Sequence, residues 1–143
     1  GYVMTGYVKR IGVSGTHGKS TTTAMIYEIF NFGGFLPTLA CGAVLPGIDR
    51  AYKMGNDEHF IYEACEYTDS FLHFNPTTAV ITNIELDHVD YFENIEQVCY
   101  SYARFASITG HRGRVIANID NEYMEDFQQL NRKFLFLIHD YNT

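Results

Sequence analysis

A phosphate-binding loop is predicted near the start of the chain, where an apolar run meets a helix through small residues. Residues 12–21 have the sequence Gly-Val-Ser-Gly-Thr-His-Gly-Lys-Ser-Thr. Glycines let backbone N–H groups turn towards an anion, and the positive end of the following helix faces the same place. Lys19 is expected to reach the β- and γ-phosphates of a nucleotide, and the Ser20 hydroxyl to ligate its magnesium ion. An ordinary strand-to-helix turn with a solvated lysine is the alternative.

The loop differs from the usual P-loop pattern in one respect. That pattern requires a glycine five residues before Gly18, and Val13 stands there instead. The loop is therefore predicted to bind phosphate with a different turn.

Two further polar clusters follow apolar runs. Residues 59–64 lead into Glu63-Ala64-Cys65-Glu66, and residues 78–82 lead into a segment that contains His88 and three carboxylates. In an open parallel sheet the carboxyl ends of the strands form the ligand-binding edge, so these acids are placed to meet a metal ion or a phosphate. Glu63 as a capping or salt-bridging acid, and His88 as a packed histidine, are the alternatives.

The order of the elements predicts an α/β fold. Apolar runs predict strands at 11–14, 39–44, 59–64, 78–82, 115–118 and 134–138, and a Gly/Pro-containing loop is expected at 45–47. Helices are predicted from Ser20 to the Gly33-Gly34 stop, after an Asn94 N-cap, and over 121–130. We therefore expect a P-loop-type parallel sheet of about six strands with helices on both faces.

Helical spacing also predicts which side chains face the core. The inward residues are expected to be Met25, Ile26, Ile29 and Phe30 in the first helix; Ile95, Val98, Cys99, Tyr102 and Phe105 or Ala106 in the second; and Met124, Phe127 and Leu130 in the third.

Composition narrows the function classes. The 143 residues are 46% hydrophobic and carry a net charge of −7, which argues against a nucleic-acid or anionic-membrane surface. The three cysteines lack Cys-x-x-Cys spacing, and no apolar run is long enough to span a bilayer, so a cytoplasmic setting is expected. A bound nucleotide remains compatible with this charge, because magnesium and one lysine supply local positive charge.

Three motifs in order resemble the central, ATP-binding domain of the Mur ligases. They are Gly-Thr-His-Gly-Lys-Ser at 15–20, Glu-Ala-Cys-Glu at 63–66 and Thr-Asn-Ile-Glu-Leu-Asp-His at 82–88. The resemblance implies ATP and Mg²⁺ as cofactors, with Lys19, Glu63 and His88 as catalytic residues and Ser20, Glu63 and His88 as metal ligands. It implies nucleotide contacts from Gly15, Thr16, His17, Gly18, Lys19, Ser20, Thr21 and Asn83.

Within the family, the chain is most similar to the members that join L-alanine to UDP-N-acetylmuramate. His17 is typical of these members and of the murein-peptide recycling members, and no lysine available for carbamylation lies between Lys53 and Lys133. The sequence Cys65-Glu66-Tyr67-Thr68 departs from the more acidic family motif, which puts any role of the missing acids in question. A recycling ligase and a non-ligase nucleotide-binding module are the alternatives.

The resemblance also implies a domain assignment. Residues 1–143 are expected to form the central domain alone, without the N-terminal domain that binds the uridine nucleotide and without the C-terminal domain. Those two domains of the same protein are the expected partners.

Overall fold

The computed structural model describes residues 5–44 and 51–132, which form one sheet with helices on both sides. The strands are β1 (Lys9–Ser14), β2 (Thr38–Ala40), β3 (Tyr52–Lys53), β4 (His59–Glu63), β5 (Thr78–Ile81) and β6 (Arg114–Ala117). The helices are α1 (Lys19–Phe32), α2 (Ile95–Ser107) and α3 (Met124–Arg132), and a short 3-10 helix spans Tyr67–His73.

The strand order is β3-β2-β4-β1-β5-β6. Neighbouring strands are parallel, as predicted, except for β3, which runs antiparallel to β2 and makes the six-stranded sheet mixed. Two residues are too few to produce a periodic pattern, which is why β3 was not predicted. The predicted loop at 45–47 and the predicted strand at 134–138 lie outside the described residues.

The connections diverge beside β1. From β1 the chain passes through α1 to β2 on one side, and from β5 it passes through α2 to β6 on the other. Such a switch point opens a crevice at the carboxyl ends of the strands. The phosphate-loop sequence directly follows β1 and therefore lies at this crevice.

Helix α1 covers one face of the sheet, but only two of its four predicted inward residues face the core. Thr23 and Tyr27 are buried, whereas Met25 and Ile29 are 59% and 67% exposed. The Thr23 hydroxyl donates to Lys19 O at 2.8 Å, so a polar residue is buried with its hydrogen bond made. Tyr27 packs in a cluster with Leu39, Cys41 and Ile61, and the predicted Ile26 and Phe30 border that cluster.

The larger core lies on the opposite face. Phe71 of the 3-10 helix stacks on Phe105 of α2 with ring centroids 4.6 Å apart, and both are fully buried. The predicted apolar stripes of α2 and α3 are confirmed, and the Asn94 side chain accepts from Gln97 N at 3.0 Å as an N-cap. Helix α3 begins at Met124, three residues later than predicted. Among the described residues, no helix combines the length and apolar character needed to cross a bilayer.

Candidate nucleotide and metal site

The loop between β1 and α1 has a backbone that requires glycine at two positions. Gly15 has φ 144° and Gly18 has φ 80°, and side chains rarely adopt such values. A Cβ at Gly15 would also collide with Thr82 Oγ1, whereas a Cβ at Gly18 would meet open space. The loop therefore lies directly against the segment that follows β5.

That segment holds the loop through a set of hydrogen bonds. Thr16 Oγ1 accepts from Glu85 N at 2.9 Å, and Asn83 Oδ1 accepts from His17 N at 2.8 Å. Asn83 Nδ2 and Thr82 Oγ1 both donate to His17 O, at 2.9 and 2.8 Å. Asn83, which the family resemblance implies as a nucleotide contact, here fixes the shape of the loop. No local sequence pattern predicts this contact, because Asn83 and His17 lie 66 positions apart in the chain.

The start of α1 suits an anion. Gly18 at the N-cap provides no side-chain hydrogen bond, and the first turn contains no acidic residue. The first N–H groups of a helix lack partners within the helix, and the helix dipole favours negative charge beside them. Ser20 and the exposed Thr21 lie in this turn. The 14-residue helix and the glycine loop before it thus fit a nucleotide phosphate.

Lys19 lies across this loop. Its Nζ donates to Gly15 O at 2.6 Å, to Thr16 O at 3.2 Å and to Glu66 Oε1 at 3.0 Å. The lysine side chain is 14% exposed and that of Glu66 only 3%. The ammonium group is therefore held against the loop that a phosphate would enter.

Ser20 and Glu63 meet on the other side of the loop. Ser20 Oγ donates to Glu63 Oε2 at 2.9 Å, and the same oxygen accepts from Gly42 N at 2.8 Å and from Cys41 Sγ at 3.2 Å. Burial, together with the Glu63 carboxylate, raises the pKa of the Cys41 thiol, which keeps the thiol a hydrogen-bond donor. No sequence motif predicted the contacts from Cys41 and Gly42.

His88 contacts a different carboxylate. Its Nε2 lies 3.9 Å from Glu66 Oε1, and its ring lies 4.6 Å from that of Tyr67. Its backbone has φ 52°, and Asp87 Oδ1 accepts from its N–H at 2.7 Å. Tyr67 in turn donates to Asp90, which lowers the pKa of that carboxyl. The structure thus brings Ser20 and Glu63 together and places His88 beside Glu66.

Ser20 and Glu63 offer oxygen ligands that fit a magnesium ion whose remaining ligands are waters and substrate phosphates. In residues 5–44 and 51–132, no group of three or more His, Cys, Asp and Glu side chains is arranged to hold a metal ion. Magnesium prefers oxygen ligands, and it is usually bound by one or two protein groups together with waters and substrate phosphates. The hydroxyl of Ser20 and the carboxylate of Glu63 are such oxygen ligands, next to the predicted phosphate position.

A glycine-rich loop at the switch point of a mostly parallel sheet with helices on both faces defines an α/β domain of the P-loop type. The sequence profile of the Mur ligase middle domain matches residues 13–142. The chain therefore belongs to the Mur ligase family and contains its middle domain.

Similar proteins agree with this assignment. The chain is 41% identical over 129 residues to a UDP-N-acetylmuramate–L-alanine ligase from Lachnospira eligens. The matched segment covers 90% of this chain and 28% of the relative. It is 44% identical over 122 residues to the same enzyme from Caldicellulosiruptor saccharolyticus. That match covers 85% of this chain and 27% of the relative. The chain thus spans less than a third of these relatives.

A solved structure is similar as well. The UDP-N-acetylmuramate:L-alanyl-gamma-D-glutamyl-meso-diaminopimelate ligase from Neisseria meningitides superposes with a TM-score of 0.78 at 25% identity. The match covers 89% of this chain and 44% of that chain.

Proposed function

We propose that this chain is the ATP-binding domain of a ligase that joins L-alanine to UDP-N-acetylmuramate. The observation that carries the proposal is the arrangement at the end of β1, where Lys19 lies on the glycine loop and Ser20 contacts Glu63 at 2.9 Å. The curated relatives named for this activity share more than 40% identity with the chain. Because the chain spans less than a third of them, other domains would bind the sugar nucleotide and the amino acid.

The proposed reaction activates a carboxylate with ATP. The muramyl carboxylate oxygen attacks the γ-phosphorus, the bond to the β,γ-bridging oxygen breaks, and ADP leaves an acyl phosphate behind. The amine of L-alanine then attacks the acyl carbon, loses a proton and expels inorganic phosphate to give the amide. Both steps depend on positioning and on neutralising the charge of the phosphoryl oxygens.

The residues of this chain would share those tasks. Lys19 and the N–H groups of the loop neutralise phosphate oxygens, and Ser20 and Glu63 would hold a magnesium ion. Magnesium supplies further charge neutralisation at the transferred phosphoryl group. His88 is proposed as a ligand for a second metal ion near the acceptor carboxylate. We place the reaction in the cytoplasm, where ATP is available.

The test is amide formation by the intact protein. We expect release of ADP and phosphate only when UDP-N-acetylmuramate and L-alanine are both present, and a loss of at least about 100-fold in Lys19→Ala. Lys9→Ala, which removes an exposed lysine at the start of β1, is the control. ATP hydrolysis that needs neither substrate would contradict the ligase proposal and favour a nucleotide-binding module. Preference for a muramyl tripeptide over L-alanine would contradict the proposed amine substrate and favour a recycling ligase.

A further inference from the structure

Glu66 is a buried carboxylate that the proposed reaction does not use. The residue is 2% exposed, although it lies just beyond β4, at the carboxyl ends of the strands. Its Oε1 contacts Lys19 Nζ at 3.0 Å and lies 3.9 Å from His88 Nε2. Its Oε2 is buried and has no hydrogen-bond partner among the residues that the structure describes. The carboxylate therefore lies against Lys19 with one oxygen unpaired in that part of the chain.

A buried carboxylate of this kind depends on its cationic partner. Removing an ionised group from water is costly unless a pairing charge and hydrogen bonds compensate for it. Lys19 is the cation within hydrogen-bond distance of Glu66, and the two residues come from α1 and from the segment after β4. The pair therefore fixes the ammonium group in one position relative to the sheet.

The same pairing limits how strongly Lys19 can attract phosphate. Lys19 donates to two loop carbonyls and to Glu66 in this structure. A phosphate oxygen can replace the neutral carbonyls, but the negative charge of Glu66 stays nearby and opposes part of the attraction. Binding energy that is limited in the ground state is compatible with fast turnover, provided that the lysine is well placed for the transition state.

We propose that Glu66 is a positioning residue for Lys19: it holds the ammonium group in place and offsets part of its charge towards the nucleotide. This inference rests on the proposed function, because it assumes that Lys19 binds nucleotide phosphates. Glu66 acts through Lys19 and does not itself touch the reacting atoms.

The proposal separates nucleotide affinity from turnover. Glu66→Gln keeps the size of the side chain and removes its charge, so the intact protein is expected to bind Mg-ATP about fivefold more tightly by calorimetry. Its kcat for amide formation is expected to fall about tenfold, because Lys19 loses its fixed position. Glu66→Asp keeps the negative charge but places it on a shorter side chain, farther from Lys19. Its Kd for Mg-ATP is therefore expected to change by less than about twofold, while kcat falls.

Glu58→Gln is the matched control. It removes one negative charge from an exposed position next to the start of β4, at the opposite edge of the sheet, and should leave both the Kd and kcat unchanged. Urea denaturation of each variant shows whether the fold is retained. Calorimetry then reports on the folded protein.

The outcomes distinguish this inference from the proposed function. Unchanged or weaker Mg-ATP binding in a folded Glu66→Gln, with Lys19→Ala losing binding, would overturn the role of Glu66 and leave the nucleotide site in place. Wild-type binding in Lys19→Ala would instead contradict the proposed function itself. Tighter binding together with a lower kcat supports the positioning role, because a residue that only stabilised the fold would not raise affinity.

Discussion

Glu63 and Glu66 are separated by two residues, but their carboxylates lie in very different surroundings. Glu63 accepts hydrogen bonds from Ser20, Cys41 and Gly42, all on one oxygen. Glu66 is more deeply buried and contacts Lys19, and its second oxygen has no partner within residues 5–44 and 51–132. We call the first group the Glu63 cluster and Lys19, Glu66 and His88 the Glu66 cluster.

The two carboxylates at the end of β4 thus offer two different chemical environments. The Glu63 cluster places a carboxylate beside the hydroxyl oxygen of Ser20, and such oxygen ligands suit a divalent cation. The Glu66 cluster joins a carboxylate to a lysine, which suits the placement of a cation that is part of the protein. Both clusters include a residue from the first turn of α1, because Lys19 and Ser20 are adjacent. We therefore expect the two clusters to affect nucleotide binding differently.

The largest effect is expected from the Glu66 cluster. Lys19→Ala removes the charge that we propose meets the phosphates, so ATP affinity should fall about 100-fold, or ~3 kcal/mol, with or without magnesium. Calorimetry on the intact protein measures this change, with Lys9→Ala as the control. Near-wild-type affinity would show that the loop does not bind phosphate through Lys19.

The loop that joins the two clusters should respond unequally at its two glycines. Gly15→Ala combines a strained φ with a collision at Thr82 and should lower the free energy of unfolding by about 3 kcal/mol. Gly18→Ala meets open space and should cost about 1 kcal/mol from its φ alone. Urea denaturation compares the two variants. Equal losses would contradict the close approach of the loop to the segment after β5.

A smaller effect is expected from the Glu63 cluster. Ser20→Ala should weaken ATP binding about tenfold in magnesium and have little effect without it, because the hydroxyl is proposed to act through the metal ion. Ser20→Thr keeps the hydroxyl and should restore the magnesium-dependent affinity. Loss of affinity that is the same with and without magnesium would remove the distinction between the two clusters.

The smallest expected effect is on the pH dependence of stability, and it comes from Cys99, a buried thiol outside both clusters. Burial raises the pKa of the Cys99 thiol to about 11. A folded-state pKa above the unfolded value means that the stabilisation is present below about pH 9 and is lost as the pH rises towards 11. Cys99→Ala should therefore lose about 1 kcal/mol less stability than the wild type over this pH range. An equal decline of stability in Cys99→Ala and the wild type would contradict the prediction.

Much of the fold could be predicted because its signals are local. The apolar runs of β1, β4, β5 and β6, and the capped, strongly amphipathic α2, have the periodicity that the structure confirms. The inward side of α1 could not be predicted as well. Its apolar residues are spread around the helix, and the burial of Thr23 depends on a hydrogen bond to Lys19 O.

In the candidate site, too, local features could be predicted from the sequence and long-range contacts could not. The loop and the strand-end acids could be found from residue types, and the structure places Ser20 beside Glu63. Asn83 contacts His17, which lies 66 positions away in the chain, and Glu66 contacts Lys19, which lies 47 positions away. Contacts of that range depend on the packing of the sheet and helices, so no local pattern could have predicted them.

The magnesium dependence of ATP affinity in Glu63→Gln and Glu66→Gln is the most direct test of the proposed metal site. The assignment of Glu63 to the metal predicts that Glu63→Gln loses the increase in affinity that magnesium produces, while Glu66→Gln retains it. Calorimetric titrations of the intact protein at several magnesium concentrations give both values. Full magnesium dependence in Glu63→Gln would contradict the assignment of Ser20 and Glu63 to the metal site.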